Sequence, residues 1–112
     1  MTQYELWWAD LPAPAGHRPV LLLSRPDAYE FLDRFLAAEV TTHVRGIPQE
    51  LPLGRREGLR ERCVANFDNL RTVAPRELRR RIGSLSMRRE HEVKRALGRV
   101  LGWPELDLPP AE

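Results

Sequence analysis

The stretch that most restricts the fold is PVLLLS, residues 19–24. Four consecutive apolar residues, entered through a proline that fixes the backbone, make a strand covered on both faces. Such a strand runs inside a sheet with apolar layers on either side, and a chain of 112 residues holds one domain with room for one such arrangement. The residues before it are Gly16, His17 and Arg18, so an arginine stands at the mouth of a rigid element.

The rest of the chain supplies the neighbours of this strand. YELWWADL predicts a first strand over about residues 4–9, with Trp7 and Trp8 on opposite faces, before a Pro-Ala-Pro-Ala-Gly loop. RPDAYEFLDRFL changes period: Ala28, Phe31, Leu32, Phe35 and Leu36 fall on one helical stripe that opens with Pro26 and Asp27. AAEVTTHVRGIPQELPL reads as a strand ending near Thr41, a loop around Gly46 and Pro48, and a strand from about Gln49 to Leu53. GRREGLRER is a charged connection, CVANF a further strand, and DNLRTV a turn into short extended structure. PRELRRR suggests a single helical turn behind Pro75, and IGSL a last strand. Ser86 caps a helix whose stripe is Val93, Ala96, Leu97, Val100 and Leu101, ended by Gly102 and Pro104. Five to seven short strands with a short helix after strand 2 and a closing helix imply a mainly β fold with α. The expected form is a small, strongly twisted antiparallel sheet or partly open barrel over residues 1–104, followed by an acidic, proline-rich tail over 105–112.

Composition removes several classes of function. Cys63 is the one cysteine, so there is no internal disulfide, and it begins an apolar strand as a core thiol does. MTQYELWWAD lacks a basic n-region with an apolar h-region, and VLLL is too short to cross a bilayer, so a soluble cytoplasmic protein without a membrane role is expected. His17, His43 and His91 share no metal-ligand spacing with one another or with Cys63, and neither a metal nor another cofactor is expected. His91 reads as a solvated residue on the closing helix. Glycine-rich phosphate loops and Gly-x-Ser-x-Gly elbows are absent, and the carboxylates Glu57 and Glu61 sit in the charged connection. A site in this chain therefore rests on hydroxyls and arginines.

Charge is unevenly distributed. Residues 1–40 carry three basic and six acidic side chains, residues 41–104 fifteen basic against seven acidic, and the tail three acidic ones, giving −3, +8 and −3. A basic middle and C-terminal half suits a phosphate backbone, whose condensed counterions each nearby cation displaces.

LWWADL, GHRPVLLLS, VTTHVRGIPQELPL, CVANFDNLRTV and RRRIGSLS followed by a helix together resemble, in order and spacing, the MazF/PemK (Kid) toxins of type II toxin–antitoxin modules. The resemblance implies an SH3-like barrel of the CcdB/PemK kind. It also implies a metal-independent, sequence-preferring endoribonuclease, or mRNA interferase. Such an enzyme cuts single-stranded RNA by attack of the ribose 2′-hydroxyl, leaving a 2′,3′-cyclic phosphate and a free 5′-hydroxyl. Carried over residue by residue, the Arg of the Arg-Pro motif is Arg18 and the strand-end hydroxyl is Thr41, the catalytic pair. Thr42 and Asn69 come near the RNA, and Gly16 and His17 belong to a loop lining the same groove.

The chemistry of these groups agrees with that assignment. A guanidinium stays charged and offers a fork of donors, which suits it to phosphate binding and makes it a poor general base. A threonine hydroxyl positions by hydrogen bonding. His17 is read as a binding residue, with proton transfer a second role open to an imidazole. The implied assembly is a homodimer. Its partner is a cognate MazE-like antitoxin whose disordered acidic segment occupies the RNA groove. An alternative is a non-catalytic module on the same barrel that binds nucleic acid or protein, as gyrase-poisoning toxins do.

Two features depart from the family pattern. Gln3-Tyr4-Glu5 stands ahead of the first strand where the family commonly has Gly-Asp or Gly-Glu. Glu39 precedes Thr41 by two residues and so shares its face, where an unpaired carboxylate would repel a phosphate.

Overall fold

The computed structural model describes residues 1–110; Ala111 and Glu112, the end of the expected acidic tail, lie outside the described residues. Six strands make one antiparallel sheet: β1 (Glu5–Asp10), β2 (His17–Leu22), β3 (Phe35–Thr41), β4 (Glu50–Leu53), β5 (Cys63–Val73) and β6 (Leu78–Ser84). Their order is β4-β5-β3-β2-β1-β6. A four-residue helix, α1 (Ala28–Phe31), follows β2, and α2 (Glu90–Leu101) closes the fold.

β2 lies inside the sheet between β3 and β1 and is buried on both faces, as its apolar run requires. Leu21 joins the larger core with Ala38, Val40, Leu51, Phe67 and the α2 residues Val93 and Ala96. Val20 and Leu22 join a smaller core on the other face with Ala9, Leu11, Phe35, Ala37 and Val73. Each such side chain contributes on the order of 1.5–3 kcal/mol through burial. Trp7 packs on the smaller core and Trp8 turns to the other side, where it stacks on His17, so the two tryptophans face opposite ways as expected.

The sheet curls until its two ends nearly meet, giving the small, partly open, SH3-like barrel. The single 3-10 turn Arg55–Glu57 after β4 is pressed against β6. A Cβ on Gly83 would stand 2.1 Å from the Glu57 carbonyl oxygen, and one on Gly58 2.6 Å from that of Ile82. Gly58 also has φ +97°, a conformation natural to glycine. Bare backbone at both positions lets the ends touch.

α2 covers the larger core. Ser86 Oγ accepts a hydrogen bond from the Arg88 amide at 3.2 Å, a 3-10 turn (Met87–Arg89) leads into the helix, and Gly102 at φ +71° ends it. Tyr4, itself in the left-handed region at φ 69°, donates its hydroxyl to Glu90 at 2.8 Å. Burial first, and this hydrogen bond second, push the Tyr4 phenol far above its ordinary pKa. Leu101, expected on the apolar stripe, is exposed. Residues 104–106 add one more 3-10 turn, and Asp107 accepts from Arg95 at 3.0 Å. No helix among the described residues is long and apolar enough to cross a membrane.

Three local expectations are corrected. The helical stripe from Ala28 to Leu36 ends after one turn: Phe35 and Leu36 belong to β3, and Phe31 is exposed. Pairing with β5 overrides the helical period, and Arg34 pins the entry by donating to the Thr72 hydroxyl and carbonyl, both at 2.8 Å. DNLRTV is the continuation of β5 through a bulge, since Ala38 opposes Leu70 while Glu39 opposes Asn66. The turn at Pro75 is confined to Pro75–Glu77, and Leu78, Arg80 and Arg81 already pair with β1.

Candidate active site

Val20 of β2 stands opposite Glu39 of β3. Continuing that antiparallel register brings Arg18 level with Thr41, and alternation turns both toward the face of the smaller core. Where the apolar residues of that core stop, an ion cluster begins. Arg18 Nε donates to the Ala15 carbonyl at 3.0 Å and its Nη1 to Glu39 Oε1 at 3.2 Å. The other Glu39 oxygen accepts from Arg71 Nη1 at 3.0 Å. The Glu39 side chain is 14% exposed, that of Arg18 32%. The carboxylate flagged by its sequence position is therefore shared between two arginines, and the three groups together carry one net positive charge.

Thr41 is held by the turn that follows it. Its Oγ1 accepts from the His43 amide at 3.1 Å, which leaves the hydroxyl proton able to be donated elsewhere. Glu50, buried, accepts from the Arg45 and Gly46 amides, each at 2.9 Å, and so fixes the backbone that carries His43 and Arg45. On β5, Asn66 Oδ1 accepts from the Asp68 amide at 3.0 Å, which shapes the bulge that presents Asn69. Arg18, Glu39, Thr41, His43, Arg45, Asn66 and Asn69 line one small cavity of about 100 Å³.

A larger cavity of about 730 Å³ opens on the other side of Thr41, toward the mouth of the curled sheet. Trp8, His17, Thr42, Arg60, Arg80 and Arg81 line it together with Thr41. The rings of Trp8 and His17 stack with centroids 4.8 Å apart and planes 2° from parallel. His17 Nδ1 lies 2.6 Å from Asp10 Oδ1, and Arg79 Nε donates to Asp10 Oδ2 at 2.6 Å. His17 and then Arg79 hold the Asp10 carboxyl below its ordinary pKa. Cys63, at the back of this cavity, is buried. Burial, with Glu57 and Glu61 adding to it, pushes its thiol up to about 11, as suits an inert core cysteine.

The site residues expected from the sequence thus divide. Arg18, Thr41 and Asn69 meet in the small cavity; His17, Thr42 and again Thr41 meet in the large one. Gly16 lines neither. At φ +67° it turns the loop into β2, and its carbonyl accepts from the Leu11 amide at 3.0 Å. Asn66, His43, Arg45, Arg71, Arg80 and Arg81 escaped the sequence reading. Asn66 shares strand parity with Val64, a signal available in principle; the others needed the bulges and the curl. Among the described residues, no three His, Cys, Asp or Glu side chains gather in a way that could hold a metal ion.

Residues 2–101 match the family model described as PemK-like, MazF-like toxin of type II toxin-antitoxin system. The chain belongs to this family. It is 38% identical over 98 residues to a Mycobacterium tuberculosis protein named probable endoribonuclease MazF2, covering 87% of this chain and 94% of that relative. Among solved structures it is similar to the M. tuberculosis toxin MazF-mt6, with TM-score 0.81 and 32% identity over 88% of this chain and 96% of that one. It is also similar to a mycobacterial endoribonuclease solved in complex with its cognate antitoxin. There the TM-score is 0.80 at 25% identity, covering 93% and 97% of the two chains. The PemK/MazF membership, the SH3-like barrel and the toxin class expected from the sequence motifs therefore hold.

Proposed function

We propose that this toxin is a metal-independent endoribonuclease that cuts single-stranded RNA at Arg18 and Thr41, with sequence preference. The observation that carries the reading is the meeting of those two side chains in one small cavity, each with a donor to spare. Arg18 Nη2 makes no hydrogen bond to a described residue, and the Thr41 oxygen is already an acceptor. The relatives named as endoribonucleases support it.

In this mechanism the ribose 2′-oxygen forms a bond to the adjacent phosphorus while the bond to the 5′-oxygen breaks. The products are a 2′,3′-cyclic phosphate and a 5′-hydroxyl. Negative charge grows on the non-bridging oxygens, and Arg18 meets it with a fixed, permanently charged donor. Thr41 holds the phosphate or the attacking hydroxyl by its proton, a positioning role. Neither group is a base, so the proton of the 2′-hydroxyl leaves through another acceptor, and the departing 5′-oxygen takes up a proton from a donor or water to become the 5′-hydroxyl. Two imidazoles border the pair: His43 lines the small cavity, and His17 lines the larger one with Thr41 and Thr42.

The enzyme works in the cytoplasm as a homodimer. A second copy would cover Phe31, Leu32 and Leu36, apolar residues left exposed within one short stretch. Its inhibitor is a MazE-like antitoxin whose acidic segment competes with RNA for the basic surface of residues 41–104. The mycobacterial endoribonuclease solved with its cognate antitoxin supports this pairing.

The test is incubation of purified protein with long single-stranded RNA in excess EDTA, followed by mapping of the ends. Cyclic phosphate and 5′-hydroxyl ends at recurring sequences are expected. Intact RNA, or cutting unchanged in both Arg18→Ala and Thr41→Ala, would overturn the reading and leave the barrel as a binding module.

A further inference from the structure

We propose that Glu39 is a positioning residue for this cleavage: braced by Arg71, it fixes the Arg18 guanidinium, and its charge is offset so that the site still attracts a phosphodiester. This rests on the nuclease reading above.

Two explanations compete for a carboxylate beside a phosphate-binding arginine. It can occupy the arginine as a counter-ion that RNA must displace, or it can hold the arginine where RNA needs it. The pattern of donors decides between them. Arg18 is tied at Nε to the Ala15 carbonyl and at Nη1 to Glu39. Those two bonds hold the planar group by two of its three nitrogens, on either side of Nη2, and set its plane, while Nη2 between them is left for a ligand. A blocking carboxylate would take that free corner as well.

Arg71 completes the device from the far side. It grips Glu39 Oε2 from β5, yet it is not among the residues lining the small cavity. Among the described residues its Nε is buried without a partner, and its side chain bonds to Glu39. The result is a row of three groups, Arg71, Glu39 and Arg18, with alternating charge and a net of +1. That leaves one net positive charge to face the single charge of a phosphodiester. A displacement of about 1 Å in such a positioned group costs about 10²-fold in rate.

The experiment uses a short single-stranded RNA with one mapped cut site, and the same oligonucleotide with 2′-deoxyribose at that site, which binds but has no attacking hydroxyl. Parent, Glu39→Gln, Glu39→Asp, Arg71→Ala and the Glu39→Gln/Arg71→Ala double variant are compared, each first shown by thermal unfolding to be folded. In Glu39→Gln, kcat is expected to fall about 10- to 100-fold with KM unchanged or lower. The salt dependence of binding to the deoxy oligonucleotide should steepen by about 0.7 in log–log slope, one further cation being free to meet the strand. Glu39→Asp should recover part of the lost kcat. Arg71→Ala should raise KM by baring the carboxylate, and the double variant should bring KM back toward the parent, a non-additivity that marks coupled groups.

Glu39→Gln cutting at the parental rate or faster overturns the proposal and makes Glu39 a counter-ion. Lost kcat with an unchanged salt slope overturns it in favour of a purely structural role. A parent that cuts no RNA sinks the nuclease reading and this one with it, whereas a cutting parent with an indifferent Glu39→Gln sinks the role of Glu39 alone.

Discussion

The two cavities that meet at Thr41 are built on different lines. In the small one, of about 100 Å³, polar groups are tied down: Glu39 bridges Arg18 and Arg71, Glu50 holds two backbone amides, and the His43 amide holds Thr41. The large one, of about 730 Å³, offers a stacked Trp8–His17 pair and the arginines 60, 80 and 81 over a broad open wall. Chemistry on a phosphate needs donors fixed before the charge develops, whereas a strand of RNA needs a wide aromatic and cationic platform. Under the proposed mechanism, the contrast fits bond breaking in the first cavity and grip on the flanking nucleotides in the second, with Thr41 where the two roles join.

The strongest way to break that division is to remove its fixed donor. Arg18→Ala should lower kcat about 10²–10³-fold, the usual effect of losing one preorganised donor, and change the affinity for uncleavable RNA far less. If affinity collapses and kcat is spared, the two cavities have been assigned the wrong way round. Next in size is the closure of the sheet. Gly83→Ala forces a methyl against the Glu57 carbonyl, which should cost about 1–3 kcal/mol or more in chemical denaturation. By prising the Arg55–Glu57 turn off β6 it should alter the large cavity, so RNA affinity should suffer more than kcat in the protein that remains folded.

The frame of the small cavity was legible, its wiring was not. Proline followed by four apolar residues forces a two-faced strand, so the place of Arg18 at the start of β2 follows from chain order alone. The partnership of Arg18 with Thr41 entered through the family motifs, because the local sequence holds nothing that says β3 lies beside β2. The helix expected over residues 28–36 failed because Phe35 and Leu36 satisfy a period of 3.6 and an extended β3 equally well, and the ladder to β5 decided the matter. That ladder is also what brings Arg71 to Glu39. A bulge that leaves Phe67, Asp68 and Asn69 without partners on β3 shifts everything beyond it, and such a shift leaves no signature in spacing. Glu39 could be flagged as out of place for a phosphate site, yet its two arginines come from strands 21 and 32 residues away.

Two smaller perturbations sharpen the reading of the large cavity. Trp8→Ala removes the face on which His17 lies, and a stacking platform of this kind contributes about 1–3 kcal/mol per base. KM, or the preference for the nucleotide beside the cut, should therefore change by roughly tenfold or more while kcat at saturation stays near the parent. An equal fall in kcat and kcat/KM would instead place Trp8 and His17 in the chemistry.

Asp10→Asn is the gentlest change. Asp10 keeps its charge against His17 and Arg79 and is exposed, so its effect is that of a screened surface network. Because its folded pKa lies below the ordinary aspartate value of 3.8, its contribution is present at pH above that value. It fades as the pH falls through the lower, folded pKa. Parent and Asp10→Asn should thus differ slightly in thermal unfolding at neutral pH and low salt, and the difference should close as the buffer is taken below pH 3.8. At neutral pH the same variant should loosen the His17 ring, since an amide exchanges a charged acceptor for a neutral one. If His17 serves only to carry the Trp8 face, the loss should then appear in KM. If it takes the 2′-proton, the pH profile of kcat should move as well, and that difference separates the two roles of the residue beside Arg18.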